Sequence, residues 1–213
     1  MTNRIIRIDG PHIRSRLAGT RMPSDPTLPV FPADSYRWPK TFVEKARKGL
    51  TPAGVLIPIM ERASGMTVLL TQRSAELKLH AGQVSFPGGR MESRDSDIAV
   101  TALRETHEEV GIPPESVDIA GYLHPSPTVT GYTVTPVVGL VNAGVPITID
   151  TSEVEAAFEV PLDFLLEKSN QQHSVREFHG VEIPIVEFNY GQRRIWGATA
   201  NMLLELREIL LKQ

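Results

Sequence analysis

Residues 97–110 read DIAVTALRETHEEV, and the spacing inside this stretch decides how the chain is organised. An acid stands before the first apolar residue, Gly111 follows the last, and Pro113 lies beyond. The segment is therefore predicted to be a helix, with Asp95, Ser96 or Asp97 as its cap. At about 100° per residue, with Ile98 at zero, Ala99, Ala102, Leu103, Thr106 and Val110 share one arc centred near about 90°. Arg104 and Glu108 fall near ~240° and ~280°, opposite that arc. Glu105 and Glu109 fall at about −20° and +20°, on its border beside Ile98. A wholly solvated acidic run would not put two carboxylates at the edge of the core stripe. Carboxylates placed there are half desolvated and one turn apart, about 6 Å along the axis. Two such charges need compensation, which a hard divalent cation with oxygen ligands supplies.

Working outward, Ala53–Glu61 and Gly65–Arg73 are apolar, β-branched runs joined by Arg62–Ser64, which predicts a hairpin. Phe86-Pro87-Gly88-Gly89 reads as a strand leading into a sharp turn. A glycine pair lets a ligand approach the backbone closely, and a turn before a helix can support an anion. Downstream, Val117–His124 and Tyr132–Val141 are strand-like, with Pro125–Gly131 as the loop between them. Thr151–Phe158 is expected to be helical and Pro161–Leu166 a short turn. Val175–Phe178 and Glu182–Tyr190 form a second expected hairpin, and Thr199–Leu211 a closing amphipathic helix. Residues 1–50 are punctuated by Pro11, Pro23, Pro26, Pro29, Pro32 and Pro39 and read as an N-terminal arm or extension, with a short helix at Phe42–Lys48. Hairpins with a few helices imply an α+β fold, a mixed sheet flanked by helices.

The chain has 213 residues, enough for one substantial domain, taken as residues 51–213. With 22 Lys and Arg against 25 Asp and Glu, no sign of charge dominates, which argues against a dedicated partner in nucleic acid or at a membrane surface. The absence of cysteine excludes thiolate zinc sites, iron–sulfur clusters and a cysteine nucleophile. The charged N-terminus and the short apolar runs, well under the ~20 residues of a membrane span, lead to the expectation of a cytoplasmic protein.

Gly89–Ile112, GRMESRDSDIAVTALRETHEEVGI, resembles the Nudix box, G-x5-E-x7-R-E-U-x-E-E-x-G-U with U apolar. Arg104–Ile112 fits it with Thr106 at one apolar position. Counting back from Arg104 puts the pattern's first acid at Ser96 and its glycine at Arg90; one extra residue restores Gly89 and places Asp95 six after it. That spacing is similar to the coenzyme A pyrophosphatase branch of the family. Leu69–Gly89, LLTQRSAELKLHAGQVSFPGG, also resembles the branch's upstream signature, L-L-T-x-R-[SA]-x3-R-x3-G-x3-F-P-G-G, with Lys78 in place of an arginine. Thr130-Gly131 with Val134–Gly139, and Ile195–Ala200, resemble it too. The likeness runs from about Thr51 to the C-terminus.

The resemblance implies an α/β/α sandwich on a mixed sheet, and hydrolysis of the pyrophosphate bond of coenzyme A or its derivatives to 4′-phosphopantetheine and adenosine 3′,5′-bisphosphate. Mg2+ or Mn2+ would be held by Glu105 and Glu109. In the family the box arginine, here Arg104, orients the glutamates, and Glu108 can approach a second metal. Nudix enzymes also draw a carboxylate from a distal loop; Glu153 is the candidate among Glu153, Glu155 and Glu159, all of which also suit polar helix positions. Arg73 and Lys78 flank a loop near the glycines, where cations would hold a pyrophosphate or the 3′-phosphate. The same chemistry on ADP-ribose or a dinucleotide, and a Nudix-fold binding module without catalysis, are the rival expectations. A homodimer is left open.

Overall fold

The computed structural model describes residues 8–31, 38–76, 82–178 and 181–212. Its centre is two long strands, β1 (Thr51–Arg62) and β7 (Tyr132–Val141), paired in parallel from Thr51 opposite Tyr132 to Met60 opposite Val141. The expected hairpin forms: β2 (Gly65–Arg73) turns back on β1 antiparallel, with Arg62 opposite Gly65. Around this core lie β3 (Val84–Ser85), β4 (Gly88–Arg90), β5 (Val117–Tyr122), β6 (Ser126–Pro127) and β8 (Val154–Pro161), making one mixed sheet. A second antiparallel sheet contains β9 (Gln172–Phe178), β10 (Val181–Tyr190) and β11 (Arg193–Trp196).

Strand alternation sends side chains to opposite faces of the main sheet. Ile57, Ile59, Val68, Leu70, Val138 and Leu140 pack on one face in the large core shared by α1 (Gly10–Leu17), α4 (Leu162–Leu166) and α5 (Gly197–Leu211). Leu56 and Val137 face the other way and meet Ala99 and Ala102 of α3 (Ile98–Val110). The fold is thus α+β, with helices on both sides of a mixed sheet. Gly54 lets α3 lie close: a Cβ there would stand 2.6 Å from the carbonyl oxygen of Ile98.

Three local expectations change. The segment read as helical at Thr151–Phe158 contains turn residues followed by strand β8, which pairs antiparallel with β2 from Val154 opposite Arg73 to Pro161 opposite Thr67. Its Ala and Glu content favours helix, but the edge of β2 satisfies its backbone, and Val160 joins the main core. Gly88 and Gly89 form part of β4, opposite Val55 and Gly54, instead of a free turn. In the N-terminal extension, α1 precedes α2 (Lys40–Ala46), and Ile13 and Leu17 of α1 are fully buried. Among the described residues no helix is long and apolar enough to cross a membrane.

Candidate active site

Helix α3 begins where Asp97 accepts the backbone N–H groups of Ala99 and Val100 at 2.9 and 3.0 Å. It ends at Gly111, whose φ of 73° suits a left-handed cap. Of the three candidate caps, Asp97 has the role. The helix's position over Gly54 carries Glu105 and Glu109 to β4, and the border placement expected of them is found: their side chains are 17% and 5% exposed. Glu109 receives a long backbone N–H contact from Gly88 at 3.4 Å. Gly89 lies beneath Glu105 so closely that a Cβ would fall 2.4 Å from the carboxylate carbon. Gly89 is thus a cradle whose missing side chain is the space the Glu105 carboxylate occupies.

Burial pushes the Glu109 carboxyl up to about 8, with the Arg73 guanidinium opposing and the charge on Glu105 assisting. The Glu105 carboxyl is also raised, first by burial, against the pull of Arg104. Two desolvated acids side by side resist being ionised together. A hard cation with oxygen ligands removes that penalty, so the donor set fits Mg2+ or Mn2+. Among the described residues no three His, Asp or Glu side chains converge into a ready cage. Water and substrate oxygens would therefore complete such a shell, as Mg2+ ordinarily requires.

Arg104 departs from its expected place. The helical wheel puts it opposite the core, yet its side chain is only 14% exposed. The loop between β4 and α3 covers that face and presents Asp95. Arg104 donates from Nε to Asp95 Oδ1 and from Nη2 to Asp95 Oδ2, both at 2.9 Å. Nη1 donates to Glu105 Oε1 and Glu108 Oε2, each at 2.9 Å, and Nη2 also reaches the Arg90 carbonyl at 3.2 Å. The five N–H bonds of the guanidinium thus meet five acceptors. Asp95 in addition accepts the Glu92 N–H at 2.9 Å and the Thr101 hydroxyl at 3.0 Å. Its carboxyl is held far below the usual range, chiefly by Arg104. Asp95 was legible as an acid six residues after Gly89; its grip on Arg104 was not, because a wheel records where a side chain starts and not how far it reaches.

Arg73, at the end of β2, approaches Glu109 with Nη1 3.8 Å from Oε1. Its Nε is buried and has no hydrogen-bond partner among the described residues. Glu153 is exposed, on the turn before β8, and its carbonyl accepts the Ser74 N–H at 2.9 Å. Its charge helps raise both Glu105 and Glu109, so the three acids share one electrostatic neighbourhood. Glu159 is elsewhere, paired with Arg62 at 2.6 Å. Glu108 is half exposed and bound by two arginines, Arg104 and Arg94. Lys78 and His80 lie outside the described residues. His124 is an exposed residue paired with Glu205.

The NUDIX domain model matches residues 50–179. The chain is 43% identical over 155 residues to the uncharacterized Nudix hydrolase NudL of Citrobacter koseri, covering 72% of this chain and 80% of that one. NudL of Escherichia coli O7:K1 matches to the same extent, and NudL of Salmonella paratyphi B is 42% identical over 159 residues, with 72% and 80% covered. Among solved structures, a MutT/nudix family protein from Enterococcus faecalis superposes with a TM-score of 0.47 at 16% identity, over 83% of this chain and 74% of that one. A domain match across more than half the chain, with relatives this similar over four-fifths of their length, establishes that the protein belongs to the Nudix hydrolase family.

Proposed function

We propose that this Nudix hydrolase cleaves the pyrophosphate bond of coenzyme A or its derivatives, releasing 4′-phosphopantetheine and adenosine 3′,5′-bisphosphate. The observation that carries diphosphate chemistry is the seating of Glu105 and Glu109 on the Gly88–Gly89 strand with Arg73 beside them. The choice of coenzyme A is supported by the fit of Leu69–Gly89 to the upstream signature of that branch.

In this reading Glu105 and Glu109 are the helix ligands of the cation. Bound there, Mg2+ or Mn2+ would neutralise the diphosphate oxygens and lower the pKa of a water. Arg73 reaches Glu109, and a phosphate oxygen is the acceptor that its buried Nε lacks among the described residues. Glu153, exposed on the turn before β8 and within electrostatic reach of both glutamates, is the base that takes the proton from attacking water. Glu108 assists from the outer side of the helix. Lys78, five residues after Arg73 in the sequence, is proposed as a second phosphate contact.

Product analysis tests the reading. With Mg2+ or Mn2+, coenzyme A is expected to yield the two named products at a higher kcat/KM than ADP-ribose or a diadenosine polyphosphate, and chelation of the metal to stop the reaction. Faster cleavage of ADP-ribose or the dinucleotide would overturn the coenzyme A assignment.

A further inference from the structure

Glu108 presents a puzzle within the site. Arg104 Nη1 donates to Glu105 Oε1 and to Glu108 Oε2, each at 2.9 Å, so Glu108 stands beside the carboxylate pair. An uncompensated third acid there would itself draw a divalent cation. Both of its oxygens are already engaged. Oε2 accepts from Arg104 Nη1 at 2.9 Å, and Oε1 accepts from Arg94 Nη2 at 3.2 Å. Arg104 is fully committed to five acceptors, but Arg94 is not part of that fork. It stands on the loop between β4 and α3, the stretch that is one residue longer than the family box, and a second acid, Glu92, holds its Nε at 2.9 Å. Glu92 thus steers Arg94 toward Glu108.

We propose that Arg94 is a positioning residue, an internal cation that occupies the Glu108 carboxylate and so confines divalent-cation binding on α3 to Glu105 and Glu109. This rests on the metal-site reading given above. Arg94 is 60% exposed and Glu108 48%, so the pairing is modest in strength and screened by salt. The same exposure means that Arg94 can be replaced without disturbing the core.

The test is Mn2+ binding to the metal-free, full-length protein without substrate, followed by the electron paramagnetic resonance of free Mn2+ at low and high salt. Arg94→Ala is expected to bind Mn2+ about two- to fivefold more tightly than the wild type, or to take up an additional ion, with the difference shrinking at high salt. Arg94→Lys keeps a cation in place and should resemble the wild type. Adding Glu108→Gln to Arg94→Ala should erase the gain. Identical binding by Arg94→Ala and the wild type would overturn the proposal, as would a gain that survives when Glu108→Gln is added to Arg94→Ala. Glu109→Gln separates this failure from failure of the metal site. If Glu109→Gln still binds Mn2+ like the wild type, the Glu105–Glu109 reading itself falls. If Glu109→Gln loses binding while Arg94→Ala is unchanged, only the role of Arg94 falls.

Discussion

Gly88 and Gly89 are chemically identical neighbours that the structure uses in opposite ways. A Cβ on Gly88 would stand 2.4 Å from the Gly54 carbonyl oxygen and 2.6 Å from the Val55 Cα, at a φ of 152° that other residues rarely adopt. Both obstacles are backbone, so Gly88→Ala is expected to destabilise the fold by a few kcal/mol, ~1–3 on the scale of strained backbone positions. A Cβ on Gly89 would instead meet the Glu105 carboxylate, the free end of a side chain. Gly89→Ala should therefore move Glu105, lower diphosphate hydrolysis by about 10–100-fold as for a disturbed metal site, and leave the denaturation midpoint near that of the wild type. Equal losses of stability in the two variants would refute this division. The glutamates themselves follow the same logic. Glu109→Gln keeps the shape and removes the charge of the proposed ligand, and about 100-fold loss of activity is expected. Glu108→Gln should be milder than Glu105→Gln, because Glu108 lies on the outer side. At this scale the placement of the carboxylate pair was legible, since helical spacing alone brings Glu105 and Glu109 to the core border. The Arg104–Asp95 grip was hidden, because it depends on the path of a loop and the reach of a long side chain.

Elements show where local signals lose to tertiary ones. Helix α3 was readable from end to end because its cap, its apolar stripe and Gly111 all agree. Strand β8 was misread because AAFE has helical composition while its destination, the open edge of β2, lies more than eighty residues earlier in the chain. Helix α1 escaped notice for a related reason: its worth lies in contacts with the far end of the sequence. His12 Nε2 donates to the Leu210 carbonyl at 2.9 Å, and Arg16 Nε donates to the Ile209 carbonyl at 3.0 Å, with Arg16 also reaching Lys212. The last carbonyls of α5, which no helix can satisfy internally, are thus closed by the N-terminal helix. Arg16→Ala is expected to cost about 1 kcal/mol, and Ile13→Ala, at a fully buried position, about 2–5 kcal/mol. Urea denaturation measures both. Wild-type stability in Ile13→Ala would show that α1 is a detachable arm and not part of the folding unit.

Across the whole molecule, one ion pair ties the β1–β2 hairpin to a strand, β8, that lies far from it in sequence. Arg62 closes β1, Thr67 lies in β2, and Glu159 in β8 accepts from both; the Arg62 contacts fall between 2.6 and 3.1 Å. The sheet therefore carries its edge strand on a hydrophobic ladder reinforced at one end by a half-buried charge. Arg62 first, and Thr67 with it, hold the Glu159 carboxyl below its ordinary value of 4.5. A carboxyl whose pKa is depressed on folding binds fewer protons in the native state than in the unfolded one. Its contribution is complete above the unfolded value and is lost as pH falls through the folded one. Asp95, depressed by Arg104, acts in the same direction. Unfolding free energy should accordingly be flat with respect to these groups near pH 7 and decline as pH falls below about 4.5. Glu159→Gln removes one of the two contributions. It should lower stability at pH 7 and leave a shallower acid decline than the wild type, with the remaining slope due in part to Asp95. Urea denaturation of both proteins between about pH 3 and pH 7 decides the matter: parallel pH profiles would mean that the Arg62–Glu159 contact does not couple the edge of the sheet to proton binding.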